Sequence, residues 1–328
     1  MSRIVVVGGA GYVGVPVADR LLRAGHDVKV LDNITYGPDQ SGLPVLRKLD
    51  IEVVQRDLRD EIAVSDVVQG SDSVVVLAGL VGDPIVRRYP DLSFDINVRG
   101  MKRAVQIVAR EVDQLVFVST CSNYGLLPED QVADEETILN PVSDYARAKV
   151  EVERHILQEL SQICNTTILR FATAFGVAPR MRFDLTVNEF AKELALGRRL
   201  SVYDPDTWRP YCHVRDFAEI IARVVADPPR LSGEILNAGD DRNNFTKRQI
   251  AELASEIIGQ GEIVYVEKGS DPRNYKVSFS KIRRLLEFEC GSLVADGIRE
   301  VGEFVRDHHS PGDDASSLDL MGNYEIAL

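Results

Sequence analysis

Ile4-Val5-Val6-Val7-Gly8-Gly9-Ala10-Gly11-Tyr12-Val13-Gly14 stands near the start of the chain. The β-branched run predicts a strand, the glycines a tight turn, and apolar residues at Val13, Val17 and Leu21 a helix that opens at once. Gly8, Gly11 and Gly14 satisfy G-x-x-G-x-x-G, while Gly9, Gly11 and Gly14 satisfy G-x-G-x-x-G. Positions without side chains let a backbone approach a pyrophosphate, whose charge is balanced by exposed N–H groups and the helix dipole. Asp32 closes the next strand eighteen residues after Gly14. A carboxylate there accepts hydrogen bonds from an adenosine ribose diol and repels a 2′-phosphate. No arginine directly follows Asp32, so the pattern selects NAD over NADP.

The same alternation continues outward. Strand-like runs recur at His26 to Leu31, Ile51 to Val54, Ser73 to Ala78, Leu115 to Ser119 and Thr166 to Phe171, with helical patterns at Leu92 to Arg110 and Ser143 to Gln162. This indicates an α/β fold: a doubly wound parallel sheet of the Rossmann kind. After Gly176 the character changes, with a denser basic patch at Arg180, Arg182, Arg198 and Arg199 and the single tryptophan Trp208. Strands at Leu200 to Tyr203, Glu234 to Asn237 and Ile263 to Val266 alternate with helices at Leu185 to Leu196, Phe217 to Ala226 and Lys247 to Ile258. The expected organisation is a cofactor domain over 1–177 and a smaller C-terminal α/β substrate domain over 178–306, with room for interleaving. Residues 307–328 lack periodicity and are expected to form a loose tail or docking peptide.

Composition narrows the classes. At 328 residues with 45% hydrophobic and 27% charged content, the chain has ample material for one large or two ordinary domains. A net charge of −13 repels nucleic acid and anionic membranes, so an anionic ligand needs a local basic pocket. The longest apolar stretch, Ile4 to Ala18, holds four glycines and a proline and is too short to span a bilayer. A cytoplasmic protein is expected. Cys121, Cys164, Cys212 and Cys290 show no metal or redox spacing, and no metal site is expected.

Tyr145 and Lys149 stand at i and i+4, on one face of a helix. An ammonium beside a phenol favours phenolate, a base able to take a hydroxyl proton while hydride leaves the same carbon. Taken alone, this spacing is common on solvated helices. Here it follows a strand ending in Ser119-Thr120 and a dinucleotide turn, a context that favours the chemical reading. Thr120, at the carboxyl edge of the sheet, is placed to hydrogen-bond the reacting oxygen. Cys121 reads as a packing residue and His213 as a structural one. Asp57 reads either as an adenine contact or as a solvated loop acid.

The assembled motifs resemble the extended short-chain dehydrogenase/reductase family, specifically its NAD-dependent nucleotide-sugar epimerases and dehydratases, over about Arg3 to Arg306. Val7 to Gly14 resembles the cofactor turn, Leu77-Ala78-Gly79 a cofactor-lining loop, Asn97-Val98-Arg99-Gly100 the helix motif after it, and Ser119 to Gly125 the active-site strand end. The resemblance implies Thr120, Tyr145 and Lys149 as the catalytic set. It implies NAD contacts from Gly8, Gly11, Tyr12, Val13, Gly14, Asp32, Asn33, Asp57, Leu58, Leu77, Ala78, Gly79, Asn97, Tyr145 and Lys149. A nucleoside-diphosphate sugar would meet Thr120, Ser122, Thr173, Arg180, Arg182, Asn188, Arg209 and Arg273. Arg209 and Arg273 (in Asp271-Pro272-Arg273) stand where the family grips the diphosphate, a natural task for guanidinium forks. Arg180 and Arg182 read equally well as surface ion pairs.

Departures from the family narrow the reaction. Its sugar 4,6-dehydratases carry Asp-Glu directly after the catalytic threonine, where this chain has Cys121-Ser122, so water elimination lacks its acid and base. Epimerisation beside the ketone is disfavoured because Ser122 replaces a cysteine. Separately, Thr173 replaces a frequent asparagine, so the family's usual sugar contact does not carry over at that position. Phe175 to Asn188 resembles a subgroup with bacterial GDP-heptose C4 dehydrogenases and sugar epimerases. The expectation is NAD-dependent oxidoreduction at C4 of a nucleotide sugar, chiefly 4-epimerisation through a 4-keto intermediate. The alternatives are a C4 dehydrogenase that releases the keto sugar and a noncatalytic cofactor-binding scaffold. A homodimer is expected through the helices near 92–110 and 143–162, with Val105, Val108, Val152 and Ile156 at the seam, although these residues also suit the sheet face.

Overall fold

The computed structural model describes residues 1–267, 273–309 and 314–327. β1 (Arg3–Val7) leads through the glycine turn into α1 (Gly14–Arg23), and β2 (Asp27–Asp32), β3 (Glu52–Gln55), β4 (Ser73–Val76) and β5 (Gln114–Thr120) follow. With the strands Asn165–Phe171 and Glu234–Ala238 they make a seven-stranded sheet. Its order runs from Glu234–Ala238 through Asn165–Phe171, β5, β4, β1 and β2 to β3. Every pairing is parallel. Strand order reverses between β1 and β4, and the carboxyl ends there open a crevice, the usual ligand position in doubly wound sheets.

The period of two in β1 explains its β-branched run. Ile4 and Val6 enter the core beneath α1, while Val5 and Val7 enter the core on the opposite face. The helix expected over Leu92 to Arg110 is realised in three pieces: Pro90–Phe94, a π-helical segment Asp95–Gly100, and Met101–Glu111. The wider π turn carries the buried Asn97.

A second unit packs helices Thr186–Ala195, Lys247–Ile258 and Val294–His308 around a third core, beside the parallel pair Arg199–Tyr203 and Glu262–Val266. The chain returns to the first unit in between. Phe217 and Ile221 of the helix Val214–Ala226 share a core with Val17 and Leu21 of α1, and Glu234–Ala238 pairs with Asn165–Phe171. The two units therefore interleave in sequence. The helix Val294–His308 was not foreseen, because Gly297 and Gly302 interrupt its apolar spacing. Gly297 is there for contact: a Cβ would meet the Phe175 ring at 2.2 Å.

Two expectations need correction. Residues 314–327 are not loose: Leu318 and Ala315 are buried in the third core, and Met321 O accepts from Phe183 N at 2.8 Å. Val105, Val108, Val152 and Ile156, the proposed dimer seam, are all at most 1% exposed and lie in the core under the sheet. Their outward-facing neighbours include Lys102 and Glu151, which form an ion pair. Among the described residues no helix is long and apolar enough to cross a membrane.

Because Ile156 packs within one chain, Ile156→Ala should lower stability by about 2–5 kcal/mol through cavity formation. It should leave the mass in light scattering unchanged; a change in mass at unchanged stability would restore the seam.

Candidate active site

The glycines of the turn do different jobs. Gly8 has φ +85°, and a Cβ there would stand 2.6 Å from Ala78 N; at Gly14 a Cβ would stand 2.4 Å from Gly8 O. These two let the backbone fold tightly on itself and on the loop after β4. At Gly11 the nearest atom to a Cβ is 3.4 Å away, so this position leaves room on the ligand side. Asp32 is held by two backbone donors, Ala10 N to Oδ2 at 3.0 Å and Ile34 N to Oδ1 at 2.8 Å. Burial raises its pKa against those two bonds.

One continuous cleft runs from this turn to the second unit. Its walls include Gly8, Gly11, Tyr12, Val13, Gly14, Asp32, Asn33, Leu58, Leu77, Ala78 and Gly79, then Thr120, Ser122, Tyr145, Lys149 and Thr173, then Arg180, Arg182, Arg209 and Arg273. Three anticipated residues stand behind the wall. The Asp57 carboxylate is engaged by Arg59 at 2.9 Å and by the Asn33 amide at 3.0 Å. Asn97 accepts from Leu80 N at 2.8 Å and donates to Leu80 O at 2.9 Å, which fixes the loop at Gly79. Asn188 is fully buried; it accepts from Gly176 N and donates to Tyr12 Oη and Arg182 O, so its amide is occupied within the protein.

Thr120 ends β5 with its hydroxyl accepting from Ser122 N at 3.1 Å, which turns the chain into the cleft. Ser143 caps the helix Asp144–His155 by accepting from Ala146 N, and this cap sets the first turn that carries Tyr145. Lys149 lies one turn on, yet its Nζ donates to Val118 O at 2.8 Å and sits 4.7 Å from the Phe117 ring centre. Burial lowers its pKa to about 8, opposed by Glu153. The Tyr145 phenol is pushed up by burial, and the cations that pull it back are Arg182 and Arg273. The cations that act most on the phenol are thus guanidiniums contributed across the cleft by the second unit, in place of the Lys149 ammonium that the helix spacing led us to expect.

Sequence reasoning missed the polar network behind this centre. Arg170 pairs with Glu153 at 2.8 Å, Asn123 donates to Glu153 at 2.8 Å, Arg170 reaches Tyr124 Oη at 3.2 Å, and Tyr124 donates to Asn237 at 2.7 Å. It ties the end of β5 to the helix of Tyr145, with a charge pair that is buried and satisfied. Cys121 donates to Arg170 O at 3.1 Å, and burial raises its pKa well above the ordinary thiol value. It is a packing thiol.

Arg180 and Arg182 are buried, each 7% exposed, which removes the surface-pair alternative. Arg182 pairs with Asp184 at 2.5 Å, and Arg273 with Asp83 at 2.8 Å. Arg209 lies 5.0 Å from the Tyr275 ring, whose hydroxyl is 3.2 Å from Ser122 Oγ. Asp271 and Pro272 lie outside the described residues. Tyr36, Asp83, Asp184, Tyr275, Asn323 and Tyr324 also line the cleft. They come from loops without periodicity; only the proximity of Tyr275 to Arg273 in sequence offered a signal.

The family described as "NAD dependent epimerase/dehydratase family" matches residues 4–239. A Streptomyces lividans protein named UDP-glucose 4-epimerase is 29% identical over 336 aligned residues, covering 95% of this chain and 99% of its own. A Streptomyces niveus dTDP-glucose 4,6-dehydratase is 27% identical, covering 94% of each chain. Among solved structures, the complex of Thermus thermophilus UDP-glucose 4-epimerase with NAD matches with TM-score 0.79 at 25% identity, over 94% of this chain and 100% of that one.

The different surroundings of Gly14 and Gly11 predict different failures. Gly14→Ala should lower the stability of the NAD-free protein by about 1–3 kcal/mol, since only backbone can yield. Gly11→Ala should leave the melting temperature nearly unchanged and weaken NAD binding at least tenfold. Calorimetry and cofactor titration check both, and a Gly11→Ala protein with ordinary NAD affinity would contradict the placement.

Proposed function

The chain belongs to the NAD dependent epimerase/dehydratase family, and from that premise we propose that it epimerises C4 of a nucleoside-diphosphate sugar through a transient 4-keto sugar. One observation carries the reading. Thr120 and Tyr145 share a cleft with the glycine turn and Asp32, while positions 121 and 122 offer a sealed thiol and a hydroxyl. Removing water from C5 and C6 needs a further acid and base. The cleft carboxylates Asp83 and Asp184 are each paired to an arginine. The relatives named 4-epimerase therefore fit this chain better than those named 4,6-dehydratase.

NAD, when bound, would supply the acceptor and donor of hydride at C4. The glycine turn, Asp32, Asn33 and Lys149 are assigned to hold it, a fit supported by the room at Gly11 and the backbone-anchored Asp32 carboxylate facing the cleft. Tyr145 accepts the O4 proton as the carbonyl forms, and Thr120 donates a hydrogen bond that fixes O4. Arg182 and Arg273 supply the positive potential that makes a buried phenolate attainable, working against the nearby Asp83 carboxylate. Arg209 and Arg273 anchor the diphosphate, which leaves the keto sugar free to present its other face within the cleft. Tyr145 then gives its proton back to O4, so no net oxidation results. A C4 dehydrogenase would instead accumulate reduced cofactor and a keto sugar.

Incubating the protein with UDP-, GDP-, dTDP- and CDP-sugars should give a C4 epimer without lasting nicotinamide reduction. Tyr145→Phe should lower turnover by about 10²-fold or more with NAD affinity retained; undiminished turnover would remove Tyr145 from the chemistry. The charge of Arg182 lowers the Tyr145 pKa, so its loss raises that pKa and moves the acidic limb of the rate profile to higher pH. Arg182→Met combined with Asp184→Asn, which avoids an orphaned carboxylate, should show this shift, and Arg182→Lys should not.

A further inference from the structure

Residues 314–327 cross the cleft rather than trail from it. Asp319 is held on the second unit by Lys192 at 2.6 Å and Arg198 at 3.0 Å. Asn323, 5% exposed, accepts from Arg180 Nη2 at 2.8 Å and donates to Val81 O at 2.8 Å, in the loop after β4. Arg88 holds Glu325 at 2.7 Å, and Ala327 N donates to Thr35 O at 2.8 Å, in the loop after β2. In the sheet, β1 lies between β4 and β2. A segment fastened to the loops after both neighbours passes over the carboxyl end of β1, where the glycine turn sits. Asn323 and Tyr324 accordingly form part of the cleft wall. Arg180, whose guanidinium lies 4.5 Å from the Tyr36 ring centre and donates to Gln40 O at 2.7 Å, faces the same groove beside Asp32.

We propose that the C-terminal segment is the outer wall of the NAD site, with Asn323 as a positioning residue that latches it and aims Arg180, so that NAD stays bound from one turnover to the next. This rests on the cofactor reading above and deepens it. An epimerase returns each hydride to the sugar and has no need to exchange its cofactor, whereas a dehydrogenase must release the reduced form in every cycle. A closed outer wall suits the first and slows the second.

Two variants of the 328-residue chain test the wall from different ends. Asn323→Ala removes both latch bonds, and Ala327→Pro removes the N–H that reaches Thr35 without altering a cleft side chain. The NAD-loaded proteins are desalted, and the NAD remaining per chain is measured against time, alongside the melting temperature of the NAD-free forms. The expected result is slow loss from the parent chain and at least tenfold faster loss from both variants, with NAD-free melting near the parent value. Rapid loss from the parent, or an unchanged rate in either variant that melts normally, overturns the inference while leaving the cofactor site in place. A parent chain that takes up no NAD overturns the inference together with the cofactor reading.

Discussion

Close packing of the glycine turn after β1 against the loop after β4 and the Val30 side chain of β2 is the constraint on which the rest depends. A Cβ at Gly8 would strike Ala78, one at Gly9 would strike Val30 at 2.6 Å, and one at Gly14 would strike Gly8 itself. The turn is welded to both neighbouring strands, and Asp32 completes the weld by taking Ala10 N. From this follow the depth of the crevice, the direction of α1, and the outward view of Gly11. The loop after β4 is fixed in turn by Asn97, whose amide engages Leu80 on both backbone groups. Asn97 thus acts on the cleft from behind it.

Electrostatics at the reacting end follow from burial. A chain of net charge −13 concentrates Arg180, Arg182, Arg209 and Arg273 in one cleft. Asp184 and Asp83 keep two of those guanidiniums from standing alone in a low-dielectric site. Those two arginines, Arg182 and Arg273, also lower the pKa of Tyr145; under the proposed function the groups that attract an anionic substrate would also tune the proton acceptor. On that proposal substrate binding and phenolate formation would be coupled through shared charges, and the bond of Lys149 to Val118 O would leave much of that work to the second unit.

Periodicity and glycine spacing made the first unit legible: β1, α1 and the alternation that follows are local in sequence, and local patterns reveal them. Tyr145, Lys149 and Thr120 were legible for the same reason, since their spacing places them on a helix face and at a strand end. The helix Val294–His308 was hidden because its glycines serve contacts with Phe175 and Ile258, partners that only the fold brings near. Asn188 was misplaced because its neighbours in sequence line the cleft while its own amide turns inward to Tyr12, Gly176 and Arg182. Val105, Val108, Val152 and Ile156 suited either a sheet face or a partner chain equally; burial alone decided between them.

The C-terminal segment shows the deepest limit of pattern reading. Its polar, aperiodic composition matches a loose end, yet its anchors fall on widely separated parts of the chain: Lys192 and Arg198 in the second unit, Arg180 and Val81 across the cleft, Arg88, and finally Thr35. No helix or strand period encodes such a path, because successive residues meet successive partners. A regular element there would present one face repeatedly and could not touch both flanks of β1 in so few residues. Irregular backbone is what a wall over a dinucleotide groove requires, and its ordering comes from the burial of Ala315 and Leu318 at one end and dispersed polar contacts along the rest. Such a wall is firm only while most anchors hold together, which places control of cofactor exchange in a stretch whose composition advertises none.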